Sequence, residues 1–154
     1  MREEKVLDEI GAKILGIIQE NGRISYSELG REVGLSSPAV AARVHQLEER
    51  GYIKEYRAQV VNEKLGFPFS AFITVSPVSG DKGMIDTLAR EMPEIVEEHH
   101  LTGMDERDGI ILKVVFSSMS HLETIIDKIA RYGETATSVV LSSSVQSRVL
   151  AARQ

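Results

Sequence analysis

Arg43 and Gln46 stand three residues apart in the run Pro38-Ala-Val-Ala-Ala-Arg-Val-His-Gln46, whose other side chains are mostly small or apolar. A glutamine amide can pair with two hydrogen-bonding groups of adenine in the major groove, and a guanidinium with guanine or a phosphate. Ala39, Ala41 and Ala42 would let a helix backbone sit deep in that groove. The chemistry on offer is the reading of DNA, not the making or breaking of a bond. Candidate contacts are Arg23, Ser25, Tyr26, Arg31, Ser36, Ser37, Pro38, Ala39, Ala42, Arg43, His45, Gln46, Lys54 and Arg57. Arg43 has a second reading, as a brace that holds its own domain together through a salt bridge.

Two short helices and a tight turn must position these residues. Ser25 with Glu28 forms the S-x-x-E pattern of a capping box, which starts the first helix. Leu29 and Val33, four apart, give that helix one apolar face, and Gly30 is small enough to admit a close neighbour. Gly34 falls where the chain must turn with positive φ, and Leu35 plugs the turn from beneath. Ser36 or Ser37 caps the second helix, with Pro38 in its first turn, where a missing N–H costs nothing. Val40, Val44 and Leu47 share the core side of this helix, and Gly51 closes it. Helix, turn and second helix at this spacing are the layout of a helix-turn-helix. A plain helical hairpin packed on something else is the competing reading.

Composition bounds the partners. The chain has 154 residues, 42% of them hydrophobic, with a net charge of −5 and no cysteine. Disulfides and thiolate zinc sites are thereby excluded. No apolar run approaches the roughly 20 residues needed to cross a bilayer. The N-terminus leads into an amphipathic helix and not into a signal-peptide core, so a cytoplasmic location is expected. Residues 1–60 carry nine basic and ten acidic side chains, and residues 61–154 nine and thirteen. Phosphate contacts must therefore come from a local patch, such as Arg23, Arg31, Arg43, Lys54 and Arg57. So few cations per chain call for several subunits acting together.

The remaining sequence supplies a means of assembly. Ile10, Ile14, Leu15, Ile17 and Ile18 recur at helical spacing after an Asp8 cap, completing a three-helix domain. Tyr52 to Val61 is extended in character, as a wing or a linking strand, and Gly66-Phe67-Pro68 is a turn near the domain boundary. Beyond it the order is strand (70–76), helix (81–92), strand (95–102), a hairpin at Asp108-Gly109, strand (110–116), helix (120–132) and strand (137–145). That order is the split βαβ of ferredoxin-like folds. The fold expected is α+β: an N-terminal three-helix winged helix-turn-helix domain, then a ferredoxin-like βαββαβ sandwich. The divisions expected are 1–53 for DNA binding, 54–68 for the linking strand and hinge, 69–145 for regulation and oligomerisation, and 146–154 for the tail. One sheet face takes the two helices. The other would lie bare in a monomer, and bare apolar faces are usually association surfaces.

With these residues in order, the chain resembles the leucine-responsive/asparagine-responsive regulator (Lrp/AsnC) family of bacterial and archaeal transcription factors. The resemblance is carried by Leu7-Asp8-x-Ile10, Ile14-Leu15, Gly22-Arg23-Ile24-Ser25, Leu29, Val33-Gly34-Leu35-Ser36, Val40, Arg43-Val44, Leu47-Glu48, Gly51-Tyr52-Ile53, Tyr56 and Ala58. Leu101-Thr102-Gly103 and Leu112-Lys113-Val114-Val115 look like the strand-loop-strand of that family's regulatory domain. It implies a homodimer joined through the C-terminal sheets, often built up to a tetramer or octamer. It also implies double-stranded DNA as partner and a small effector, commonly an amino acid, bound between regulatory domains.

Two positions depart from the family pattern. Gly11 replaces a usual acidic residue and costs its helix about 1 kcal/mol relative to alanine. In the loop from Gly103 to Gly109 the family's aspartate is expected three residues after the glycine. Here Glu106 has that spacing, and Asp108 matches only with two residues inserted. Thr102, Gly103, Met104, Glu106 and Asp108 are the candidate effector contacts, and a solvated hairpin tip is the alternative. No cofactor or metal is expected. Asp105, Glu106 and Asp108 lack calcium-loop spacing, and His99 and His100, adjacent on a strand, point to opposite faces. Ser142 to Ser144 with His121 lack a nucleophile elbow, so an enzyme is not expected. The tail after Val145 either docks on a neighbour or stays loose. The sequence thus describes an effector-modulated transcriptional regulator, the alternative being a metabolite-sensing protein that acts on a protein partner.

Overall fold

The computed structural model describes residues 7–77, 82–104, 107–145 and 148–151, without the side chains of residues 82, 103, 104, 107 and 108. The chain divides into two compact units, residues 1–59 with 145–154, and residues 60–144.

The first unit contains three helices: α1 (Glu9–Glu20), α2 (Tyr26–Val33) and α3 (Ser37–Glu49). Asp8 starts α1, its Oδ1 accepting from the Gly11 N–H at 2.7 Å. Ile14, Leu29, Val40, Val44 and Leu47 are fully buried where the helices meet, with Ile10, Leu15, Ile17, Ile18 and Val33 packed around them. Each such side chain contributes about 1.5–3 kcal/mol relative to exposure. Residues 53–61 adopt neither helix nor strand. Tyr56 ties this segment to α3, its hydroxyl donating to Glu48 Oε1 at 2.9 Å. The tail is engaged at Leu150, whose N–H donates to Gln19 Oε1 and whose carbonyl accepts from Gln19 Nε2, both at 3.0 Å.

The second unit opens with a short 3-10 turn at Asn62–Leu65, followed by β1 (Phe69–Pro77), α4 (Lys82–Glu91), β2 (Ile95–Met104), β3 (Arg107–Phe116), α5 (Met119–Ile129) and β4 (Gly133–Val139). The strands form one sheet in the order β2-β3-β1-β4, and every neighbouring pair is antiparallel. Alternation decides which face is buried. Ala71, Ile73 and Val75 of β1, with Ile110, Leu112 and Val114 of β3, pack against Ile85 of α4 and Leu122, Ile125 and Ile129 of α5. Phe72, one residue out of phase, lies 36% exposed on the opposite face.

Two element boundaries differ from expectation. Asp108-Gly109 is not the hairpin turn. Gly109 pairs with Leu101, and the strands continue to the pair Met104–Arg107; residues 105 and 106 lie outside the described residues. Paired backbone outweighed the local turn propensity of an Asp-Gly step. The last strand spans 133–139, not 137–145. Its pairing with β1 begins at Gly133 opposite Pro77, where an added Cβ would lie 2.3 Å from the Ser76 carbonyl oxygen. It ends opposite Ala71, with one further bond from the Val140 N–H to the Ser70 carbonyl. Beyond that point β1 is nearly spent, and residues 140–145 are not in a strand.

Candidate nucleic-acid interface and effector loop

The turn between α2 and α3 fixes how α3 is presented. The capping box at Ser25 is complete. Ser25 Oγ accepts from the Glu28 N–H at 3.2 Å, while the Ser25 N–H and hydroxyl donate to Glu28 Oε2 at 3.1 and 2.6 Å. These bonds hold the Glu28 carboxyl below its usual range, the serine hydroxyl contributing most. Gly34 ends α2 with φ of 73°, a conformation that side chains resist. The Gly30 carbonyl then accepts the Leu35 N–H at 2.9 Å, drawing the turn back over α2. Gly30 is buried there, and a Cβ on it would lie 2.5 Å from the Leu35 carbonyl oxygen. Ser36 is the N-cap of α3, but its side chain makes no capping bond.

With Val40, Val44 and Leu47 turned fully inward, α3 leaves Pro38, Ala42, His45 and Gln46 exposed, and Ser37 and Ala39 half-buried. Gln46 and the small residues thus share the open side that sequence spacing assigned them. Arg43 is placed differently. Its Nη2 lies 3.0 Å from Asp8 Oδ2, so the carboxylate that caps α1 also anchors α3. This is the brace, and sequence reasoning saw Asp8 only as a cap. His45 sits beside two carboxylates of its own helix, Glu48 at 3.8 Å and Glu49 at 3.3 Å.

The flanking candidates are all at the surface. Arg23, Ser36 and Arg31 are exposed, as are Tyr26, Lys54 and Arg57. Arg57 lies 3.6 Å from Glu55, and the Ser25 hydroxyl is already taken up by Glu28. Tyr56 was matched by pattern and not by role. Burial, then its bond to Glu48, pushes its phenol up to about 12. A cleft of about 840 Å³ runs between α1 and the segment 52–58, lined by Leu15, Ile18, Arg23, Tyr52, Tyr56 and Leu150 among others.

In the second unit, Thr102 is exposed near the end of β2, and Gly103, Met104 and Asp108 contribute strand backbone on either side of the turn. The side chains of Met104 and Asp108, and the whole of Asp105 and Glu106, lie outside the described residues. His121 is held by structure: its Nδ1 accepts the Ser117 N–H at 3.3 Å, which leaves Nε2 to donate to Glu94 Oε1 at 3.2 Å. No helix among the described residues is long and apolar enough to cross a membrane.

Known proteins match this chain over most of its length. Residues 7–54 match the family described as winged helix-turn-helix DNA-binding, and residues 70–150 match the Lrp/AsnC ligand binding domain. The uncharacterized HTH-type transcriptional regulator YezC of Bacillus subtilis is 41% identical over 138 residues, covering 90% of this chain and 96% of that protein. The structure of LrpC from Bacillus subtilis superposes with a TM-score of 0.84 at 31% identity, covering 92% of this chain and 99% of that one. A transcriptional regulator of Neisseria meningitidis, solved as its L-Met complex, gives 0.83 at 29% identity, covering 94% and 96%. A winged helix-turn-helix followed by a ligand-binding domain is the plan that the two matched families describe. The chain belongs to the Lrp/AsnC family of DNA-binding transcriptional regulators.

Proposed function

We propose that α3 is the recognition helix, inserted in the major groove with Pro38, Ala39 and Ala42 against the bases and Gln46 paired with an adenine. The observation that carries this is the division of α3: three residues fully buried on one side, and small residues with one amide on the other. Arg43 acts from behind, keeping α3 in register with α1 through Asp8. Arg23, Arg31, Lys54 and Arg57, with the hydroxyls of Tyr26, Ser36 and Ser37, contact phosphates and set the docking position without reading sequence. The chain works as a homodimer or a larger even-numbered assembly on half-sites about one helical turn, or a multiple, apart. A small effector, of amino-acid type, contacts Thr102, Gly103, Met104 and Asp108. The L-Met complex of the Neisseria relative supports that class of ligand.

Mobility shifts on the DNA upstream of the chain's own gene test the reading. Gln46→Ala should weaken the preferred site by about 5- to 150-fold, the value of one bidentate base contact, and relax the preference at one base. Arg57→Ala should weaken all sequences alike and shallow the salt dependence. Equal losses from both substitutions on random DNA would remove Gln46 as a reader. Thermal shift across the amino acids tests the effector class, which a flat response from all of them would reject.

A further inference from the structure

The exposed edge of the sheet carries a cluster that DNA reading does not use. On β2, Glu98 and His100 alternate onto the helix side, opposite Leu112 and Ile110, which are fully buried. Asp86 of α4 lies over them. His100 Nε2 is 3.2 Å from Asp86 Oδ1 and 4.0 Å from Glu98 Oε1, and the three donor atoms all lie within 4.8 Å of one another. Inward-pointing charge can blunt a sheet edge, but that does not explain the bonding here. Asp86 Oδ1 and Glu98 Oε1 are both shut off from water, and neither has a hydrogen-bond partner among the described residues. The imidazole is within ion-pair distance of Asp86 without hydrogen-bond geometry. Burial, then the neighbouring Asp86 carboxylate, pushes the Glu98 carboxyl up, against smaller opposing pulls from His100 and Arg90.

Two dehydrated carboxylate oxygens without hydrogen bonds, beside an imidazole nitrogen, are satisfied either by a shared proton or by a bound cation. A tetrahedral zinc ion with bonds of about 2.0–2.1 Å spaces its ligand atoms about 3.3 Å apart. The two separations at His100 bracket that spacing. One nitrogen and two oxygens suit zinc or cobalt better than calcium, which takes six to eight oxygens. We propose that Asp86, Glu98 and His100 form a binding site for a divalent transition metal of the zinc type. Three protein ligands leave a fourth position open to water or a ligand. The ion would sit two residues before Thr102, on the strand that leads into the effector loop. His99 does not take part, because its ring faces the other side, 3.3 Å from Glu97.

The full chain, stripped with a chelator and titrated with Co²⁺ and then Zn²⁺, provides the test. Visible Co²⁺ absorption should saturate at one ion per chain, and Zn²⁺ should displace it. His100→Ala and Glu98→Gln should each weaken binding at least tenfold, whereas His99→Ala and His45→Ala should leave it unchanged. The His45 control excludes the alternative cluster with Glu48 and Glu49 on α3. Circular dichroism of the metal-free variants checks folding, and Asp86→Asn replaces either variant that fails it. No saturable binding, or binding that survives loss of His100, would overturn the site and leave the two carboxyls sharing a proton.

Discussion

Gly30 shows how much of this fold hangs on a missing methyl group. Its Cα faces the Leu35 carbonyl so closely that an alanine Cβ would lie 2.5 Å from that oxygen, and the obstacle is backbone. Gly30→Ala should therefore lower stability by about 1–3 kcal/mol, as overpacking does, although alanine is the better helix former. Gly16, in the middle of α1, has nothing within 4 Å of a built Cβ. Gly16→Ala should raise stability by about 0.5–1 kcal/mol. Paired thermal melts give opposite signs if the turn packs as described, and a stabilising Gly30→Ala would contradict it. The sequence suggested that Gly30 admits a neighbouring helix; Val40 of α3 does lie 3.6 Å from the built Cβ, but the tightest neighbour is the Leu35 carbonyl of the turn. The Arg43–Asp8 pair was legible only in part. Arginine was recognised as a brace or a reader, but its partner lies 35 positions upstream in sequence, and periodicity says nothing about such pairs.

At the level of elements, local signals did well where one dominates and poorly where elements compete. The capping box, the Gly34 turn and the apolar face of α3 follow from neighbouring residues, and the structure has all three. The ends of β3 and β4 depend instead on which strand lies alongside, so the Asp108-Gly109 turn signal lost to continued pairing. The segment after α3 is a further case. Its alternating Tyr52, Lys54 and Tyr56 look strand-like, yet a side-chain bond and not a ladder fastens it. Tyr56 makes that attachment testable. A phenol pushed up to about 12 from its ordinary 10.0 stabilises the fold fully below pH 10, and the contribution is lost as pH rises through about 12. Ultraviolet titration of the folded chain should show a late tyrosinate step near pH 12 that Tyr56→Phe removes. Glu48→Gln should bring that step to lower pH by taking away the carboxylate acceptor. If Tyr56→Phe instead removed an ordinary step near pH 10 and left the alkaline end of the curve unchanged, the segment would not be held to α3 through this bond.

Across the whole molecule, the charge balance and the bare sheet face point to the same requirement. A chain of net charge −5, with nine basic residues in its first sixty, neutralises few phosphates alone. Pairing two chains turns the second contact into an intramolecular one and raises avidity without new cations. We propose that the chains pair through the face of the sheet away from α4 and α5. Phe72 stands at its centre, opposite Lys113 on β3 and Ser138 on β4, and Lys113 in turn binds Glu97 of β2 at 2.6 Å. That bond, more than any other influence, holds the Glu97 carboxyl below its usual range. The result is an aromatic centre with a charged pair beside it, as expected of an interface core and rim. Phe72→Asp separates folding from pairing. A carboxylate at 72 has water around it and Lys113 across the strand in a lone chain, so the monomer should fold with little loss. In a pair of sheets the same carboxylate would be buried against its own symmetry mate, which costs several kcal/mol. Light scattering should give a dimer or larger mass for the wild type and a monomer for Phe72→Asp. DNA affinity should fall by more than tenfold with the base preference of Gln46 retained. An unchanged mass would show that the chains pair through another surface, and an unchanged affinity would show that one recognition helix suffices.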